Sequence, residues 1–139
     1  MKVNAYLSFD GRTEEALEFY KKAVGAEVLM LMRFKDSPQP PSAEHCAPGS
    51  ENKVMHASFR VGDSLLMASD GSCNNQTKFS GVSLALETAN DDEAKRAFAA
   101  LGEGGQVYQP MIPTFFSSQF GVVADKFGLT WMVTVAQKQ

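Results

Sequence analysis

His56 stands in an alternating stretch, residues 54–61 (VMHASFRV), where it shares one side of an extended chain with Ser58 and Arg60. It is one of only two histidines, the other being His45. An imidazole titrates near neutrality, so His56 is the candidate catalytic acid–base group, and the guanidinium of Arg60 is suited to a carboxylate or phosphate. The plain alternatives are a hydrogen-bonded histidine within a sheet and a surface charge at a strand end. His45, Cys46, His56 and Cys73 match no compact zinc spacing, and nothing places either cysteine beside His56 as a nucleophile beside its base. The Gly cluster at 102–105 follows a helical stretch and precedes a strand. A Rossmann-type cofactor site needs the reverse order, so no cofactor is expected. Among the aromatics, Phe115 and Phe116 lie in a loop next to Pro113 and suit a lid or a dimer contact.

The elements that must position these residues follow from periodicity. Residues 3–9 (VNAYLSF) alternate, with Tyr6 and Ser8 opposite Leu7 and Phe9, as in a half-buried strand. A helix follows, with Thr13 as its expected cap, Glu14 and Glu15 in its first turn, and Leu17, Tyr20 and Val24 as its stripe. Gly25 closes it. Residues 28–34 (VLMLMRF) are a continuous apolar run, read as a buried strand. Residues 36–52 hold four of the six prolines and are expected to be a mobile surface loop. Residues 54–61 and 64–68 form a hairpin around Gly62-Asp63, and the polar residues 70–78 connect to a second half.

That second half repeats the order. Residues 82–87 alternate as a strand, Asn90 and Glu93 stand in capping-box spacing, and Ala94, Ala97, Phe98 and Leu101 form a helical stripe. Residues 106–109 read as a short strand, 110–116 as a loop, and 120–124 with 129–136 as a hairpin turned by Asp125-Lys126-Phe127-Gly128. Glu15-Ala16 matches Glu93-Ala94, and Gly62 matches Gly128. The expected organisation is a single domain, 1–139, made of two modules, 1–70 and 79–139, joined by a polar linker.

Composition sets outer limits. A chain of 139 residues with 44% hydrophobic and 21% charged residues suits one globular domain. A net charge of −3, with Lys and Arg scattered, argues against nucleic acid or an anionic membrane surface as partner. No apolar run approaches the ~20 residues that span a bilayer. The opening residues, MKVNAYLSFDG, lack the pattern of an export signal, so a cytoplasmic setting is expected, with Cys46 and Cys73 as free thiols rather than a disulfide.

A strand–helix–three-strand unit used twice resembles the vicinal oxygen chelate superfamily of glyoxalases, bleomycin-resistance proteins and extradiol dioxygenases. The phrases YLSFDGRTEEALEFYKK, MHASFRVGDSLLMASD and DKFGLTWMV are similar to its PhnB-like branch, often labelled after a demethylubiquinone methyltransferase. The resemblance implies an α+β fold: two βαβββ units forming a curved, cup-like mixed sheet with helices outside and a ligand within. One face, with Leu7, Phe9, Leu84, Leu86, Trp131 and Val133, then packs under helices, while Tyr6, His56, Ser58, Arg60, Thr130 and Met132 face the cup. Metal-dependent relatives place ligands at positions that fall here at or next to Asn4, Leu66, Gly81 and Met132, none of which offers an imidazole or carboxylate. Ser80, Val82, Met67 and Trp131 beside them do no better.

The reading that follows is a small-molecule-binding protein of that branch without the usual divalent metal site. Tyr6, Ser58, Arg60, Phe115 and Met132 are its expected ligand-binding residues and His56 its candidate catalytic one. The alternatives are a lyase, isomerase or transferase using His56, and a non-catalytic dimeric structural or interaction protein. A homodimer is expected from the resemblance.

Overall fold

The computed structural model describes residues 1–37, 49–71 and 76–136. The expected loop residues His45 and Cys46, and Cys73 further on, lie outside them. The chain forms two compact units, Met1–Thr77 and Lys78–Gln139.

In the first unit the order is β1 (Ala5–Ser8), α1 (Thr13–Val24), β2 (Glu27–Arg33), β3 (Val54–Val61) and β4 (Ser64–Ser69), with a 3-10 turn at Phe34–Asp36 after β2. The sheet order is β1-β4-β3-β2, with β1 parallel to β4 and the other pairs antiparallel. Leu7 of β1, Ala57 and Phe59 of β3, and Leu66 and Ala68 of β4 are buried, together with Ala16, Leu17 and Tyr20 of α1. Tyr20 stacks on Phe59 and meets Phe9 at a tilt, with centroids 6.3 and 6.0 Å apart, so one aromatic column joins helix to sheet.

The second unit repeats this topology: β5 (Ser83–Thr88), α2 (Asp91–Leu101), β6 (Gln106–Ile112), β7 (Phe120–Ala124) and β8 (Thr130–Val135), in the order β5-β8-β7-β6. β5 runs parallel to β8. Ala94, Ala97 and Leu101 of α2 are buried, as are Val123, Trp131 and Val133 of the sheet. Trp131 thus points to the core of its unit, as its parity requires. Asn90 caps α2, its side chain accepting from Glu93 N–H at 2.8 Å.

Three expectations are corrected. Thr13 does not cap α1: it is the first helical residue, its hydroxyl is buried without a partner, and Arg12 at the cap position offers no side-chain bond. The helix end is satisfied instead by Asp70, whose Oδ1 accepts from Gly11 N–H at 3.0 Å and Thr13 N–H at 2.8 Å. β2 is not buried on both faces. It is the outermost strand, so Leu29 and Met30 remain 49% and 41% exposed, and its register with β3 shifts between Val28 and Met30. β6 does not stop at Gln109 but runs through Pro110 to Ile112. An edge strand tolerates a residue without an N–H, and its register with β7 slips between Gln109 and Ile112.

Candidate ligand-binding face

Strand pleating sends successive side chains to opposite faces, and register partners share a face. In the first unit Tyr6 pairs with Met67, Met67 with Ser58, and Ser58 with Met30, so one row of four side chains crosses the sheet on the side away from α1. His56 lies two residues from Ser58 on the same side and pairs with Met32. This open face brings Tyr6, His56 and Ser58 together.

The Tyr6 hydroxyl and His56 Nδ1 are 3.2 Å apart, with ring centroids 5.7 Å apart and tilted by 37°. Tyr6 is 52% exposed, so its ring is offered to solvent while its hydroxyl holds the imidazole. Neither His56 Nε2 nor the Ser58 hydroxyl has a hydrogen bond among the described residues. Chemically this is an oriented imidazole with one ring nitrogen open, beside an open hydroxyl.

Arg60 also lies on this face, but it is not free. Its Nη2 reaches Glu27 Oε2 at 2.6 Å, across the register pair that joins the ends of β3 and β2. The two charges offset each other at the rim. A second pair, Arg33 Nη2 to Glu14 Oε2 at 2.7 Å, ties β2 to α1 through two parallel bonds. Those hydrogen bonds hold the Glu14 carboxyl below the ordinary carboxylate range and raise Arg33 correspondingly.

The other two expected ligand-binding residues belong to the second unit. Met132 pairs with Ala85 and Val122 on the side of that sheet away from α2 and is 36% exposed. Phe115, 97% exposed, follows β6 and meets Phe116 edge-on at 5.2 Å, and Phe116 meets Phe120 in the same way. Phe120 shares the face of Met132.

Sequence reasoning overlooked Glu27 and the three thioethers. Met30 and Met32 stand two apart in VLMLMR, so their common face was visible as a period of two inside the apolar run. Their neighbours His56 and Ser58, and the claim of Glu27 on Arg60, depend on a cross-strand register that a single chain does not display.

Comparison with known proteins places this geometry in a family. The chain matches the 3-demethylubiquinone-9 3-methyltransferase family over residues 1–134. Protein YjdN of Escherichia coli strain K12 is 34% identical over 100% of this chain and 98% of its own length. Protein PA1353 from Pseudomonas aeruginosa superposes with a TM-score of 0.83 at 36% identity, covering 99% of both chains. The PhnB protein from Bacillus cereus gives a TM-score of 0.79 at 29% identity, over 98% of this chain and 100% of its own. The chain belongs to this family and has an α+β fold of paired βαβββ units, the glyoxalase/bleomycin-resistance fold.

The family description implies a methyl-donor cofactor, and the resemblance to vicinal oxygen chelate proteins a divalent metal. The residues present fit neither. The Gly cluster closes α2 rather than opening a helix: Gly102 is the C-cap, and a methyl on Gly105 would stand 2.0 Å from the Ala124 carbonyl oxygen. The one glycine turn that does lead from strand to helix, at Gly11, has its N–H groups taken by Asp70. At the metal positions, Leu66 is buried on the helix side of its sheet and Met132 offers only a thioether. Among the described residues no group of three or more His, Cys, Asp or Glu side chains stands close enough to hold an ion.

Proposed function

We propose that this protein binds a small organic molecule on the open face of its first unit, without the divalent metal of its metal-using relatives. The observation that carries the reading is the Tyr6 hydroxyl fixed to His56 Nδ1, which orients the imidazole and leaves its other nitrogen and the Ser58 hydroxyl available. A half-buried polar group set among apolar side chains, with no protein partner among the described residues, suits a ligand better than a packed core. The test is a metabolite screen by thermal shift, repeated with His56→Ala. Hits that raise Tm in the parent and lose that effect in a folded His56→Ala variant support the site. Hits indifferent to the change would move binding elsewhere. Metal analysis of protein purified without chelator bears on the second half of the reading, and a stoichiometric divalent ion would overturn it.

The same hydrogen bond favours an enzymatic variant of this reading, with His56 Nε2 exchanging a proton with the bound molecule. Turnover that falls by about 100-fold or more in His56→Ala, with binding retained, would mark it.

We propose further that the protein is a cytoplasmic homodimer. What supports the dimer is the exposed Phe115–Phe116 pair after β6, a large apolar surface at an edge strand. Light scattering on Phe115→Ser reads this directly, with the dimer expected to weaken.

A further inference from the structure

Resting on the binding reading above, we infer that the ligand is an uncharged, flat aromatic molecule carrying one hydroxyl-type group, and that Glu27 sets this preference. Among the described residues of the first sheet, the charged side chains that flank Ser58 on the open face are Arg60 of β3 and Glu27 of β2, paired at 2.6 Å, while Arg33, opposite Val54 beyond a register shift, is paired with Glu14. Among the described residues the face therefore offers neither a free cation for an anionic ligand nor a free carboxylate for a cationic one. An anion approaching Arg60 meets the Glu27 carboxylate already seated there, and a like charge beside it is repelled.

What remains is apolar and polarisable. Met30, Met32 and Met67 surround Tyr6, His56 and Ser58 by register, and Met30 is 41% exposed although it contributes nothing to the core. Thioethers adapt to irregular shapes and contact aromatic rings favourably at their edges. The Tyr6 ring, 52% exposed, adds an aromatic surface of its own. The polar requirement is small: His56 Nε2 and the Ser58 hydroxyl can together serve one group able both to donate and to accept. Flat, neutral and singly hydroxylated is the class that meets all three conditions.

A matched pair of probes tests this: 2-naphthol, neutral at pH 7, and 6-hydroxy-2-naphthoate, the same ring with an ionised carboxylate. Titrations of the full chain are followed through the His56 ring resonances by NMR. The expected result is tighter binding of the naphthol by the parent protein. In Glu27→Gln, where Arg60 is released, affinity for the naphthoate rises about two- to fivefold, the range an exposed ion pair supplies. Adding Arg60→Met to Glu27→Gln removes that gain. Glu27 is exposed, so its replacement leaves the fold intact, which an unchanged Tm verifies. Equal or tighter binding of the naphthoate by the parent, or no gain in Glu27→Gln, overturns the inference and leaves the binding reading standing. Failure of both probes to move the His56 resonances overturns the two together.

Discussion

Two buried aspartates do for this chain what no spacing motif announces. Asp70 is 1% exposed and gathers three backbone N–H groups: Gly11 and Thr13 at the start of α1, and Val54 at the start of β3 at 2.7 Å. It thereby ends one strand, caps a helix and fixes the entry of another strand. Asp125, 2% exposed, accepts from Phe127 and Leu129 N–H within its own hairpin turn and from Trp131 Nε1 at 2.9 Å. Replacing either by Asn turns one acceptor oxygen into a donor facing an N–H. Asp70→Asn should cost about 2–4 kcal/mol, since charge-assisted bonds to buried donors are the expensive ones to lose. Urea unfolding measures it, and a change within about 0.5 kcal/mol would refute the role. The Asp125 turn was legible as DKFG because its bonds are local. The reach of Asp70 to Thr13 spans 57 positions, so it read as the first residue of a linker.

At the scale of elements, parity and helical stripes were visible in the chain and pairing was not. The alternation of residues 54–61 put His56, Ser58 and Arg60 on one side because pleating has a fixed period. The apolar run of β2 carried no such information: a strand covered on both faces and an outer strand with one face open can be equally hydrophobic. Its position at the sheet edge is offset by the Arg33–Glu14 pair, which clamps it to α1. Because the folded Glu14 titrates below its ordinary value near 4.5, this contribution is complete above that pH and disappears as pH falls through the lower folded value. Glu14→Gln should therefore lower Tm at pH 7, lower it less in 0.5 M salt, and leave it level with the parent at low pH. A Tm difference that grows on acidification would contradict the assignment. The Gly cluster has an equally local reason. With Ala124 O in the way, Gly105→Ala should destabilise by about 2 kcal/mol or more.

Across the whole molecule the same topology is built twice from nearly unrelated residues. The shared order of elements, and the left-handed glycines at the two hairpin turns, Gly62 at φ 56° and Gly128 at φ 86°, were readable as a repeat. The site was less readable. Its polar members could be picked out one by one, but the neutralisation of Arg60 and the ring of thioethers emerge only when strands are laid side by side. The only tryptophan, Trp131, is buried in the second unit and so gives that unit an optical reporter of its own. Asp125→Asn should shift its emission to longer wavelength, while folded Asp70→Asn should leave the emission maximum unchanged.

The connection between β2 and β3 has a practical consequence. Its two ends are held together before and after residues 38–48: Phe34 N–H donates to Lys53 O at 3.1 Å, Lys35 N–H to Glu51 O at 3.0 Å, and Arg33 Nη1 to Asn52 O at 2.7 Å. These bonds fix the spacing of the two strands at this end of the sheet, and once the ends of a connection are held, closure entropy grows only as the logarithm of its length, about 0.6 kcal/mol for each doubling. A peptide tag inserted between Ser37 and Gly49 is therefore expected to leave the pairing of Met32 with His56 in place, which the His56 ring resonances would report.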